Sequence, residues 1–142
     1  MIIPSTKLKK TLIGNFIDET YNKRNLTVGD ELLATNVVIH ISNSDNINGI
    51  EDWKLYANSF LTGFSDIVIS VKDTIGQGDK MVVRWTCRGV HTGEFHGIIP
   101  TDKQATWTGI AIYHFVGNKI DEIWVWNDIW SMMQQLGVIH FK

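Results

Sequence analysis

The chain has 142 residues, 44% hydrophobic and 20% charged, with a formal net charge of -2. Its length and balance describe one globular domain over residues 1–142, which buries about 70% of the surface its unfolded chain would expose. Acids and bases are interspersed, which excludes a nucleic-acid or anionic-membrane surface, and no apolar run approaches the roughly 20 residues of a membrane span.

Cys87 is the only cysteine, so no internal disulfide is possible and nothing points to an oxidising compartment. The start, "MIIPSTKLKKTLIG", puts two isoleucines ahead of its charges, unlike a basic leader followed by an apolar stretch. A cytoplasmic protein without a signal peptide is expected. Six tryptophans in so short a chain suggest an aromatic-lined cavity or an aromatic interface, or they fill the core.

In chain order, residues 5–24 predict an amphipathic helix. Ser5 is its N-cap, and Leu8, Leu12 and Phe16 recur at helical spacing with Ile13, Ile17 and Tyr21 alongside. "TVGDELLATN" (27–36) predicts a short second helix, ending before the β-branched run "VVIHIS" at 37–42. "SDNINGIED" reads as loop. Residues 50–63 suit a third helix, with Trp53, Tyr56, Ala57 and Phe60 on one stripe and Gly63 near its end. The period then changes to two. "DIVISVKDTI" alternates Ile67, Ile69 and Val71, "GQGD" turns, and "KMVVRWTCRGVH" and "QATWTGIAIYHF" are long strands. "VGNK" leads into the last strand, "IDEIWVWND", and "IWSMMQQLG" closes as a short helix at Gly137. Helices followed by an antiparallel meander make an α+β domain with helices on one face of a curved sheet. The space left between the two layers is the default site.

Three segments resemble the SnoaL-like polyketide cyclases. "GVHTGEFHGIIPTDK" (89–103) is similar to that family's "GTHxGxFxGxPPTGK", "GNKIDEIWVWND" to its "DGKIxExWxxxD", and "QQLGV" to its terminal "QLG"; "GFSD" and "GDKMVVRW" are weaker echoes. The resemblance implies the cone-shaped α+β fold of the nuclear transport factor 2-like (cystatin-like) superfamily, with N-terminal helices packed on the concave face of an antiparallel sheet. It also implies homodimers or tetramers joined through the outer sheet face, and a deep apolar pocket for a hydrophobic small molecule. The family's activity is an aldol-type ester cyclisation without metal or organic cofactor, which needs a base beside the acidic C–H and a donor for the enolate. Aligned on "KI" and "QLG", the family's catalytic Asp and His positions fall on Val125 and Ala111. Neither moves a proton, and with a three-residue hairpin loop the two sit opposite each other.

The remaining candidates carry two readings each. Asp128 is either an acid at the cavity's end or the N-cap of the last helix, and strand alternation groups it with Glu122, Trp124 and Trp126, opposite Val125. The two tryptophans then suit an outer face covered by a partner. Trp107, Gly109, Ala111 and Tyr113, with Ile123, Val125 and Asn127, should form the pocket face, and Tyr113 is its ligand-facing polar group or a core tyrosine. His91, in "GVHTGEF", is a base near the cavity or a turn histidine bonded to backbone. His40 is expected at the cavity mouth, and Asn58 turns inward or stays half-exposed. Arg84 is expected to pair with an acid such as Glu122, His114 to face outward, and Cys87 to be a small core residue. The spacing of "HTGEFH" matches no familiar metal site, so no metal is expected. Two functions follow: a cofactor-independent cyclase, lyase or isomerase using His91, His40 or Asp128, or a non-catalytic binder of a hydrophobic molecule.

Overall fold

The computed structural model describes residues 4–42 and 44–140; Ile2 and Ile3, used above against a leader peptide, lie outside them. Helix α1 (Thr6–Ile17) starts at Ser5, whose hydroxyl accepts the Leu8 N–H at 3.1 Å. It continues into a π-helical turn, Asp18–Asn22. Helix α2 (Val28–Leu32) leads directly into β1 (Leu33–Ile41), and a two-residue β2 (Ile47–Asn48) precedes α3 (Ile50–Gly63). The long strands are β3 (Phe64–Gln77), β4 (Lys80–His91), β5 (Gln104–Val116) and β6 (Lys119–Asn127), followed by α4 (Ile129–Gln135).

The six strands form one curved sheet in the order β2-β1-β6-β5-β4-β3. Every pairing is antiparallel except β1 with β6, which is parallel, so the sheet is mixed rather than purely antiparallel. The helical N-terminal half packs on one face. Phe16, Trp53, Ala57 and Phe60 meet inward residues such as Val83, Trp107 and Ile123 in a single core. Among the described residues no helix is long and apolar enough to cross a membrane.

Three local expectations change. Strand β1 begins at Leu33, inside the segment read as helix, because Leu33 pairs with Ile120 and is buried; sheet pairing overrides the helical propensity of "LLA". Leu8 is exposed, and Lys9 instead turns inward, donating to the Gly78 carbonyl with its ammonium 5.8 Å from the centre of the Phe115 ring. Val71 is exposed where the β3–β4 register skips Lys72.

The β5–β6 hairpin reaches its expected register by another route. Its loop has two residues, Gly117 and Asn118, and the register then slips by one after His114. The irregularity does the work of the missing loop residue, and Ala111 faces Val125.

Candidate ligand pocket

A pocket lies between the helices and the inward face of the sheet, with a cavity of about 60 Å³. One water needs about 10–15 Å³ of such space, so the cavity as it stands holds roughly four to six waters, and a one-ring ligand requires the aromatic walls to shift outward. Helix α1 and the π-turn contribute Phe16, Ile17 and Tyr21; α3 contributes Trp53, Tyr56 and Phe60. From the sheet come Ile39, Ile67, Ile69, Trp85, Cys87, Trp107, Tyr113, Ile123, Val125 and Asn127. Tyr21 stands in the π-turn, which the next residue ties to the edge strand: the Asn22 amide accepts the Ile69 N–H (2.8 Å) and donates to the Ile69 carbonyl (3.0 Å). Gly109 makes space for Trp85 directly opposite, since a Cβ at 109 would lie 2.3 Å from the indole.

All three tyrosines of the chain, Tyr21, Tyr56 and Tyr113, line this pocket. Burial pushes the Tyr56 phenol up to about 12, against a smaller opposing effect of its hydrogen bond with Asn127. Burial likewise holds Tyr21 and Tyr113 above the ordinary phenol range, and pushes the Cys87 thiol up to about 12. These groups are neutral near pH 7 and act as hydrogen-bond donors, not bases or thiolate nucleophiles. Among the described residues lining the pocket there is no carboxylate, imidazole, ammonium or guanidinium.

Of the residues singled out from sequence, Trp107, Tyr113, Val125 and Asn127 line the pocket, and Ala111 is buried beside them on the same face. Five others stand elsewhere. His91 is fully buried at the end of β4, where its Nδ1 accepts the Thr101 N–H at 3.2 Å and lies 3.0 Å from the Thr101 hydroxyl. That places the ring proton on Nε2, which has no hydrogen-bond partner among the described residues. His91 thus ends β4 with its ring bonded to the backbone of the β4–β5 connection. His40 is not at the cavity mouth. Ile39 points inward, so His40 points outward, where its Nε2 meets Glu122 at 2.6 Å and its ring stacks on Trp124. Asn58 is exposed on α3 and faces away from the pocket. Asp128 is exposed and caps α4, its carboxylate accepting the Ser131 N–H at 3.0 Å. Arg84 pairs with Asp73 at 2.6 Å, not with Glu122, because Asp73 is its direct cross-strand neighbour.

The outer sheet face carries Ile110, Ile112, Trp124 and Trp126, with Trp126 55% exposed. His114 is there too, held between Asp121 (2.5 Å) and Asp79 (2.8 Å). The six tryptophans divide evenly: Trp53, Trp85 and Trp107 line the pocket, while Trp124, Trp126 and Trp130 do not. Tyr21, Tyr56, Trp53 and Trp85 were not singled out as site residues. The available signal was that each falls on the inward phase of its helix or strand.

Residues 11–136 match the SnoaL-like polyketide cyclases. Among solved structures, IdmH from Streptomyces antibioticus, a candidate polyketide cyclase, is 27% identical, with a TM-score of 0.77 over 91% of this chain and 98% of that one. AclR from Streptomyces galilaeus, a candidate hydroxylase, is 22% identical, with a TM-score of 0.86 over 96% and 89%. TsrD from Streptomyces laurentii is 21% identical, with a TM-score of 0.83 over 98% and 100%. No protein of curated function matches the sequence. One fold thus carries different activity names, and the reaction must be argued from the site.

Proposed function

Because the chain belongs to the SnoaL-like polyketide cyclase family, we propose that it keeps a pocket of the family's kind as a binding site for a hydrophobic small molecule, without the family's proton-transfer couple. The observation that carries this reading is the Ala111–Val125 pair, directly opposed on the inward face, in a pocket whose polar groups, among the described residues, are phenols, indoles, one amide and one thiol, none of them charged. Cyclisation by an aldol route requires a base within hydrogen-bond reach of the carbon acid. Aromatic and branched aliphatic walls instead favour apolar contact with a ligand. The test is native mass spectrometry of the protein purified from its own host. A bound small molecule, released chemically unchanged after prolonged incubation, supports the reading. Release of a compound converted in proportion to protein would sink it.

The same proposal covers the outer face. Ile110, Ile112, Trp124 and Trp126 form an apolar strip flanked by the Arg84–Asp73, His40–Glu122 and His114–Asp121 pairs, so both charge signs border it. A second copy of the chain, meeting this strip about a two-fold axis so that opposite charges at its borders face each other, is the proposed cover.

A further inference from the structure

The lining of the pocket is not uniform. Thirteen of its residues are buried, and the three that are half-buried are Tyr21, Tyr56 and Asn127, all polar. The other polar linings, Tyr113 and Cys87, are buried among apolar residues such as Ile123, Val125 and Trp107. Asn127 Nδ2 donates to the Tyr56 hydroxyl oxygen at 3.4 Å, joining the end of β6 to α3. Because the oxygen is the acceptor in that contact, the phenol proton remains free to donate elsewhere.

We infer that Tyr56, oriented by Asn127, is the polar anchor of the pocket, and that it selects neutral ligands whose accepting oxygen is a carbonyl over ionised carboxylates of the same shape. This rests on the binding-site reading above and adds the ligand's chemistry to it. A carbonyl oxygen replaces its lost water with the Tyr56 O–H. A carboxylate would enter with a full charge and find only neutral donors, the phenols foremost, and no cation, leaving most of its hydration unreplaced. Asn127 presents its amide nitrogen to Tyr56, so it is a positioning residue in this scheme.

The experiment uses three one-ring probes: acetophenone (neutral ketone), benzoate (carboxylate) and ethylbenzene (no oxygen). Each is titrated into the full chain at pH 7 and followed by protein NMR shifts. Acetophenone should bind about three- to tenfold more tightly than ethylbenzene, the worth of one net hydrogen bond. Benzoate should bind at least about a hundredfold more weakly than acetophenone. Tyr56→Phe should erase the ketone's advantage, so that acetophenone and ethylbenzene bind the variant about equally. Asn127→Asp should erase it as well, because a carboxylate there would take the Tyr56 proton. A ketone advantage that survives Tyr56→Phe, or benzoate binding as tight as acetophenone, overturns the inference while the binding site stands. No binding by any of the three overturns both.

Discussion

Val125 and Asp128 are three residues apart and serve different ends. Val125 faces the pocket on a strand whose alternate residues point outward, and Asp128 follows that strand at the start of α4. The period-2 rule was enough to separate them in the sequence, and it also put Trp124 and Trp126 on the outer face. It failed for His40, where no inward neighbour on β1 was identified to fix the phase; with Ile39 inward, His40 has only the outer face left. His91 lies inward in phase, but its Thr101 partner comes from the β4–β5 connection, which no periodicity describes. The cap assignment has a direct consequence. Asp128→Ala should cost about 1 kcal/mol through the lost bond to the Ser131 N–H. That lowers the melting temperature by roughly 2–4 °C, while affinity for a pocket probe stays as in the wild type. A loss of probe binding without loss of stability would put Asp128 back in the site.

At the scale of elements, α3, β4 and β5 were legible almost to the residue, because each keeps one period over its length, whereas β3 extends two residues beyond the segment 66–75 at each end. What the sequence hid were the places where the period breaks. The π-turn at Asp18–Asn22, the slips in β3 and the early start of β1 all depend on partners far away in the chain. The same holds for the free edges of the sheet. Strand β6 stops opposite Gly109, and the exposed edge of β5 is taken up by Gln135, whose amide bonds both the N–H and the carbonyl of Thr106. Hence the "QLG" segment has a structural task. His114 ties the β3–β4 turn to β6 through Asp79 and Asp121, and its hydrogen bond with Asp121, chiefly, raises its affinity for a proton. A raised folded-state pKa gives stability that is fully present below the unfolded value near 6.5 and fades as pH rises through the folded value. The hydrogen bond to His114 lowers the Asp79 pKa, so its share is present above the ordinary carboxylate range and fades as pH falls through its lowered value. His114→Asn should therefore lower the melting temperature most near pH 5–6, with the two curves converging in alkaline buffer. A difference that is constant across pH would show that the triad is not the cause.

For the whole molecule, two faces of one sheet carry two sets of aromatic residues, one lining the pocket and one outside. The outer set predicts a dimer by light scattering at micromolar concentration, and Trp126→Glu should shift it to monomer with the fold intact by circular dichroism. A wild-type monomer at that concentration contradicts the paired-face proposal. The inner set bears on the central claim, that the pocket binds a carbonyl compound and holds no base to act on it. The most direct test is exchange of the methyl protons of acetophenone in D2O, followed by NMR in a sample where binding is seen at the same time. The account predicts bound ketone with exchange no faster than in buffer. Exchange that accelerates, saturates with ketone and disappears when the pocket is blocked would contradict it.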